Sequence, residues 1–306
     1  MARADQAHLA VSAVTLPPGV VGLHALPADH HDGPWDSMVV PPGTKERLLS
    51  TALLVLRHGR RLTALSAAPH GLIVLAGPPG TGKTTLAQGL AQAAARAVAA
   101  RGATTFVEID PHAFPSDMLG ESQRAVSRLF TETLPEIAAR RPHTIVLVDE
   151  VEALAVRRST ASFDTNPVDV HRATDAVLMG LDTLRQRCPH VVLVVTTNFL
   201  AAVDEAVLSR ADLVLTTQLP DERTVEEILR SSLHELAAQW PALRRLAEDR
   251  SLHAKLASRC VGLDGRRIRK VVLSSLALRP ETAIDPELLT ADDLHEAAAQ
   301  ATETPA

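Results

Sequence analysis

Aromatic side chains are scarce in this chain. Tyrosine does not occur, and phenylalanine and tryptophan together make up 2% of the 306 residues. Proteins that bind single-stranded nucleic acid without sequence preference stack bases on aromatic side chains, and they present positive charge to the phosphates. Because the net charge is −5, we expect no nucleic-acid partner.

Cysteines and long apolar runs are also scarce. The two cysteines, Cys188 and Cys260, lie far apart in the sequence and suggest neither a disulfide framework nor a zinc site. No apolar segment approaches the roughly 20 residues that span a bilayer, and the first residues lack the apolar core of a signal peptide. We therefore expect a cytoplasmic protein without membrane contact.

One glycine-rich segment lies between an apolar run and an alanine-rich helical pattern. Residues 77–84 have the spacing G-x-x-x-x-G-K-T of a phosphate-binding loop, or P-loop. Its glycines let backbone N–H groups face an anion, and the helix that follows adds the positive end of its dipole. We predict that Lys83 reaches the β- and γ-phosphates of ATP and that the Thr84 hydroxyl binds Mg²⁺. The predicted nucleotide-binding residues of this segment are Gly77, Pro78, Pro79, Gly80, Thr81, Gly82, Lys83, Thr84 and Thr85.

Strand and helix patterns alternate up to about residue 220, and only helical patterns follow. Continuous apolar runs of the kind found here are typical of buried parallel strands. We predict an α/β fold in which a parallel five-stranded P-loop sheet of the ASCE type has helices on both faces and is followed by a small helical lid domain. The predicted parts are a short N-terminal segment (1–32), too small for a core of its own, a large ATPase domain (33–220) and the helical lid (221–303).

Polar side chains follow two of the predicted central strands. Asp149 and Glu150 come directly after an apolar run, and Asn198 ends the next one. Ligands of open α/β sheets bind at the carboxyl ends of the strands. We predict that Asp149 binds Mg²⁺, that Glu150 activates the attacking water, and that Asn198 holds this water near the γ-phosphate.

Two arginine positions are candidates for contacts with the phosphates. Arg210 precedes the last predicted strand; it either reaches the γ-phosphate in a neighbouring subunit or forms a salt bridge with Asp212, and the spacing leaves both open. A basic helix start at Arg266 and Arg267 is predicted to place one arginine over the phosphates from the lid, while its other basic residues form an exposed face.

Together these motifs resemble the AAA+ ATPases, and within them the pachytene-checkpoint remodellers that act on HORMA-domain proteins. The resemblance extends over roughly residues 33–278 and rests on dispersed motifs. They are Trp35-Asp36-Ser37-Met38-Val39, Asp149-Glu150-Val151-Glu152-Ala153-Leu154, the helical segment Asp169 to Asp182 with Ala176-Val177-Leu178, Ser209-Arg210-Ala211-Asp212, and Gly262-Leu263-Asp264-Gly265-Arg266 with Arg269-Lys270.

The resemblance implies roles for residues at matching positions. Asn198 corresponds to sensor 1 and Arg210 to the arginine finger. Arg266 corresponds to sensor 2 and is preferred over Arg267 because the family's arginine directly follows the glycine. Trp35 and Val39 belong to a segment that lines the adenine pocket.

The resemblance also implies a homohexamer with ATP at each interface and a central pore. Residues 115–122 correspond to the first pore loop, and residues 157–169 to the second. Where the family has an aromatic grip, this chain has the pore residues Met118, Leu119, Gly120 and Glu121. Methionine is flexible and apolar, so it still packs against a threaded polypeptide.

The expected function is that of an ATP-dependent hexameric remodeller in its short bacterial form. Its expected substrate is a HORMA-domain protein bound to a nucleotidyltransferase, within bacterial anti-phage cyclic-nucleotide signalling. Two alternatives remain open at this point. One is another AAA+ motor, either a general unfoldase or a nucleic-acid-directed ATPase. The other is a nucleotide-gated scaffold that does not hydrolyse ATP.

Overall fold

A six-stranded sheet is the centre of the fold. The computed structural model describes residues 16–28, 35–36, 38–114, 121–154 and 167–303. The strands in these ranges are Val20–Leu26 (β1), Leu72–Ala76 (β2), Thr104–Ile109 (β3), His143–Val148 (β4), Val191–Thr197 (β5) and Leu213–Thr216 (β6). Their order across the sheet is β1-β3-β4-β5-β2-β6.

Strands β2 to β6 are the five predicted parallel strands, and the α/β class is confirmed. The predicted count of five is one too low, because β1 pairs antiparallel with β3 at the edge. Val20, Gly22 and Leu26 are buried while the residues between them are exposed or half-buried. Within segment 1–32, this strand therefore contributes buried side chains to the core of the sheet.

The position of β5 defines the type of P-loop fold. The strand before the P-loop, β2, pairs with β5 on one side and β6 on the other. The strand that ends before Asp149, β4, pairs with the opposite side of β5. One strand therefore separates the P-loop strand from the acidic strand, which is the ASCE arrangement that was predicted.

Twelve α-helices occur in the described ranges. The larger part of the chain contains Thr44–Leu62 (α1), Lys83–Val98 (α2), Glu121–Arg128 (α3), Leu134–Ala138 (α4), Pro167–Arg187 (α5) and Glu205–Leu208 (α6). A π-helical turn, Leu129–Thr133, joins α3 to α4. The C-terminal helices are Glu222–Gln239 (α7), Arg244–Glu248 (α8), Arg250–Cys260 (α9), Gly265–Ser275 (α10), Pro280–Ile284 (α11) and Ala291–Glu303 (α12). Within the described ranges we find no helix with the length and apolarity that crossing a bilayer requires.

The two faces of the sheet bury different side chains. Along β2, Leu72 and Val74 join a cluster with residues of α3 to α5, whereas Ile73 and Leu75 join a cluster with residues of α1 and α2. Successive side chains of a strand point to opposite faces, so both faces need a cover. Helices on both faces, as predicted, supply it, and burial of each such side chain contributes about 1.5–3 kcal/mol.

The helices from α7 onward share a third apolar cluster, which contains Leu229, Leu233, Leu256 and Leu294. No sheet residue belongs to that cluster among the residues described. We propose on this basis that residues 221–303 are a separate helical domain. We expect the ligand site to lie between the carboxyl ends of the parallel strands and the first turn of α10.

Candidate nucleotide-binding site

The P-loop has the backbone conformation that its glycines allow. Gly80 and Gly82 have φ angles of 77° and 85°, in the left-handed region that favours glycine. Helix α2 begins at Lys83, and Gly82 is its N-cap residue without a side-chain hydrogen bond. Glycine has no side chain that could cap the first N–H groups of α2. A phosphate site at a helix N-terminus requires such uncapped N–H groups.

Lys83 is buried beneath this loop. Its Nζ donates to the carbonyl oxygens of Gly77 and Pro78 at 2.7 and 2.9 Å and to Asn198 Oδ1 at 2.9 Å. Burial lowers the pKa of the Lys83 ammonium, and the charges of Asp149 and other nearby carboxylates oppose this effect. All three donors of the ammonium have partners, so a phosphate that binds here must replace an oxygen already present.

The two predicted Mg²⁺ ligands meet at the sheet edge. The hydroxyl of Thr84 donates to Asp149 Oδ1 at 2.8 Å, and the hydroxyl of Thr196 donates to the same oxygen at 2.5 Å. Magnesium takes one or two protein oxygens and completes its shell with water and phosphate. This oxygen-only pair fits Mg²⁺. The described residues contain no cluster of three or more His, Cys, Asp or Glu able to hold another metal.

Glu150 is held in an uncommon backbone conformation. Its φ is 54°, and it is the only residue other than glycine with positive φ in the described part of the chain. Asn198 Nδ2 donates to Glu150 Oε1 at 3.0 Å, and His112 Nε2 lies 3.3 Å from Oε2. Such strained residues persist where surrounding contacts fix them. The carboxylate is thereby oriented while half of its side-chain surface stays open to water.

Arg210 pairs with a carboxylate that the sequence did not indicate. Its Nε and Nη2 donate to Asp182 on α5 at 2.9 and 3.0 Å, and its Nη1 donates to the Ala206 carbonyl at 2.8 Å. These hydrogen bonds lower the pKa of the Asp182 carboxyl. The alternative pairing with Asp212 is wrong, because that carboxylate accepts the N–H groups at the start of β2. A guanidinium has five N–H donors, so Arg210 keeps two for another partner.

The lid contacts the P-loop through the first turn of α10. Asp264 is the N-cap of this helix and lies against Gly80. The charge of Arg266 lowers the pKa of Lys83, whereas Arg267 donates to the Ala301 carbonyl within the lid. Of the two candidate lid arginines, the geometry thus favours Arg266 for a phosphate contact. Its role remains a proposal.

The segment predicted to line the adenine pocket is described only in part. Trp35 packs against Gly89 of α2, with the Lys45 ammonium 5.8 Å from its ring, and Val39 is half-buried. Met38 lies against Gly82 of the P-loop. Contact of Trp35 and Val39 with adenine stays a prediction.

The predicted pore residues cannot be placed in the same way. Met118, Leu119 and Gly120 lie outside the described residues, as does most of the predicted second pore loop. Glu121 is described only as the first residue of α3. The grip that the sequence predicts for these positions therefore stays a prediction.

Several residues that support the site were missed at the level of sequence. Thr196 fixes both the Asp149 carboxylate and the Glu150 N–H, and Glu152 accepts the N–H of Asn198. The signal for Thr196 lies in strand adjacency, because β4 and β5 pair Val148 with Val195. Asp149 and Thr196, the residues that follow this pair, therefore lie side by side where the two strands end.

Comparison with known proteins agrees with the candidate nucleotide-binding site described above. Residues 73–219 match the family model described as ATPase family associated with various cellular activities (AAA). CD-NTase-associated protein 6 of Pseudomonas aeruginosa is 44% identical over 290 residues, which are 95% of this chain and 94% of the relative. A pachytene checkpoint protein 2 homolog of Danio rerio is 32% identical, and the match spans 85% of this chain but 66% of that protein.

Two solved structures share the fold. The structure of C. elegans PCH-2 matches with a TM-score of 0.74 and 27% identity, over 93% of this chain and 76% of that one. A chain in the structure of the E. coli MS115-1 HORMA:CdnC:Trip13 complex matches with a TM-score of 0.72 over 94% and 97% of the two chains. At 20% identity the second match shows the fold alone. The P-loop, the acidic strand and these similarities together show that the chain belongs to the AAA ATPases, in the family of the pachytene checkpoint protein 2 homologues and CD-NTase-associated protein 6.

Proposed function

We propose that this chain is an ATP-dependent protein remodeller that works as a homohexamer with Mg-ATP between its subunits. Its proposed substrate is a HORMA-domain protein bound to a nucleotidyltransferase, in bacterial anti-phage cyclic-nucleotide signalling in the cytoplasm. The observation that carries the ATPase part is the connected set Lys83, Asn198 and Glu150 beside the Thr84–Asp149 pair. The choice of partner is supported by two similar proteins, a CD-NTase-associated protein and a chain from a HORMA:CdnC:Trip13 complex.

Each side chain of the site has one task in the proposed hydrolysis. Mg²⁺, when bound with ATP, neutralises charge on the phosphates. Lys83 binds the phosphates, and Thr84 and Asp149 supply oxygen ligands to the metal. Glu150 accepts a proton from the attacking water, which Asn198 orients.

Two arginines complete the site from outside the P-loop. Arg266 stabilises charge on the phosphates from the lid. Arg210 offers its two remaining N–H donors to the γ-phosphate bound to the adjacent subunit. Arginine suits both positions because it stays charged and presents several N–H donors in a fixed plane.

A short path leads from the catalytic carboxylate toward the proposed first pore loop. His112 contacts Glu150 and belongs to the helical turn Pro111–Ala113, two residues before position 114. Position 114 is the last described residue before the proposed loop. We propose that this turn couples the state of Glu150 to the grip of Met118 and Leu119 on the substrate.

The test uses Glu150→Gln beside a matched control, Glu136→Gln, which changes an exposed glutamate on α4. The substrate is the complex of a HORMA-domain protein and a nucleotidyltransferase encoded near this chain. We expect the wild type and the control to hydrolyse ATP and to separate the complex in size-exclusion chromatography. Glu150→Gln is expected to bind ATP, assemble as a hexamer and leave the complex intact.

Other results would favour the alternatives. ATPase stimulation by DNA and by no protein would indicate a nucleic-acid-directed motor. A lack of hydrolysis at every protein concentration, with ATP still bound, would indicate a scaffold. Retained turnover in Glu150→Gln would remove Glu150 from its proposed role.

A further inference from the structure

A cavity of about 550 Å³ lies at the opposite end of the strands from the P-loop. Its walls come from the end of α1, the turns before β4 and β5, and the helical turn that extends α2 to Arg101. We call it the arginine pocket because six arginines line it: Arg57, Arg60, Arg61, Arg101, Arg140 and Arg141. It lies at the amino ends of β4 and β5, one strand length of roughly 17 Å from the carboxyl ends of the strands.

The positive charge of the arginine pocket is not balanced nearby. Among the described residues, no carboxylate lines the cavity and none of the six arginines forms an ion pair. Three helical segments end here, and each C-terminus carries about −0.5 charge, or roughly −1.5 in total. Six guanidinium groups exceed that several-fold, so stabilisation of helix ends does not account for them in a chain whose net charge is −5.

Two buried histidines also line this cavity. His143 and His190 are 3% and 7% exposed. The Nδ1 atom of each ring has no hydrogen-bond partner, although buried polar atoms normally have one. Burial lowers the pKa of both rings, with a further lowering of the His143 pKa by Arg101 and of the His190 pKa by Arg60. A bound anion would act on both rings in the opposite direction to the arginines, because a negative charge raises the pKa of a histidine.

Close packing holds this arrangement in place. A Cβ on Gly59 would collide with the Pro189 carbonyl, so α1 touches the turn before β5 at this point. Pro189 is followed directly by His190, and Gly59 is followed directly by Arg60. The arginines of α1 are thus positioned beside His190 by buried backbone contacts.

We propose that the arginine pocket binds a small anion that carries two or more phosphate groups. Guanidinium groups bind phosphate oxygens in a bidentate manner, and several arginines suit several phosphates. The volume falls in the range of small-molecule sites, roughly 300–1,000 Å³. Leu56, Ala138 and Pro142 add apolar surface on which the organic part of such an anion packs.

The test measures binding of inorganic tripolyphosphate by calorimetry to the full chain carrying Lys83→Ala, which removes the P-loop lysine. One binding event per chain is expected. Adding Arg60→Glu and Arg140→Glu is expected to weaken it by roughly tenfold or more. The matched control adds Arg244→Glu and Arg250→Glu, an equal change of charge at two exposed lid positions, and is expected to bind like the parent.

A second titration with a nucleoside triphosphate identifies the source of the phosphates. Tighter binding than tripolyphosphate indicates an organic ligand, and equal binding indicates recognition of phosphates alone; both support the proposal. Binding of an oligonucleotide but not of tripolyphosphate would overturn it in favour of a polymer. Equal losses in the pocket and control variants, or no binding at all, would also overturn it. Melting curves of all variants confirm that each is folded.

Discussion

Asn198 Oδ1 accepts a hydrogen bond from Lys83 Nζ at 2.9 Å, and the same amide donates to Glu150 at 3.0 Å. One side chain thus connects the lysine proposed to bind phosphate to the proposed catalytic carboxylate. We expect Asn198→Ala to lower kcat by roughly 100-fold, because the attacking water loses an orienting group. ATP affinity should change only a few-fold, since Lys83 keeps its loop contacts. Steady-state ATPase assays and binding of a fluorescent ATP analogue measure the two effects.

Asn198→Asp is the informative companion to this variant. It keeps an oxygen near Lys83 but replaces the donor to Glu150 with a negative charge. A loss of kcat as large as in Asn198→Ala would assign the effect to the Glu150 contact. Normal kcat in both variants would contradict the proposed role of Asn198.

Mixed assemblies test whether Arg210 acts on a neighbouring subunit. Arg210→Ala keeps an intact P-loop without its arginine, and Lys83→Ala keeps the arginine without a functional P-loop. Each variant alone should be inactive, because removal of such an arginine costs roughly 10³-fold or more. Mixing them should restore ATPase activity at interfaces where the intact halves meet.

The control for this mixture is Arg210→Ala combined with the double variant Lys83→Ala, Arg210→Ala. That mixture contains no intact interface and should remain inactive. A lack of restoration in the first mixture, with mixed oligomers present, would show that Arg210 serves its own chain through Asp182.

Gly80→Ala tests the contact between the lid and the P-loop. A methyl group at this position would collide with the Asp264 carboxylate, and the φ of 77° adds strain of about 1–2 kcal/mol. We expect ATP affinity to fall roughly tenfold or more, because the phosphate loop and the lid must move apart. Gly43→Ala is the matched control, since Gly43 has a φ of 79° and no atom within 4 Å of the added carbon. Equal ATP affinity in both variants would contradict a role for this contact.

The Arg279–Asp293 pair predicts how the stability of the lid depends on pH. Hydrogen bonds from Arg279 and Thr290 lower the pKa of Asp293 to about 2. This stabilisation is complete above the pKa of the unfolded carboxyl, near 4, and is lost as the pH falls toward 2. At neutral pH, Asp293→Asn should lower the free energy of unfolding by about 1.5–3 kcal/mol.

Chemical denaturation at several pH values checks this prediction. The difference between Asp293→Asn and the wild type should shrink as the solution is acidified. The exposed neighbour Asp292→Asn should show little effect at any pH. A difference between Asp293→Asn and the wild type that persists unchanged at low pH would rule out the ion pair as its cause.

The sequence predicted those parts of the site that local patterns determine. The P-loop, the carboxylates after β4 and Asn198 after β5 lie where strand ends and spacing indicated, because parallel strands bring their carboxyl ends together. The pairing of Arg210 with Asp182 escaped prediction, since the two belong to different elements 28 residues apart. Their contact depends on how α5 packs on the sheet.

The arginine pocket was hidden for a similar reason. In sequence, Arg57, Arg60 and Arg61 indicate only a solvated helix end. Arg101 and Arg140 lie in distant segments and join them through the fold. The edge strand β1 was likewise not counted in the predicted sheet, because a short strand gains its stability from the sheet it pairs with.

The contact of Asp264 with Gly80 has a mechanical consequence. Helix α10 begins beside this contact and has 11 residues, so it is roughly 16 Å long. A tilt of ~10° about its first turn moves its far end by about 3 Å. Since α7 and α12 pack on α10, we expect both helices to follow such a tilt. A small displacement at the proposed phosphate loop is therefore expected to become a larger displacement at the outer surface of the lid.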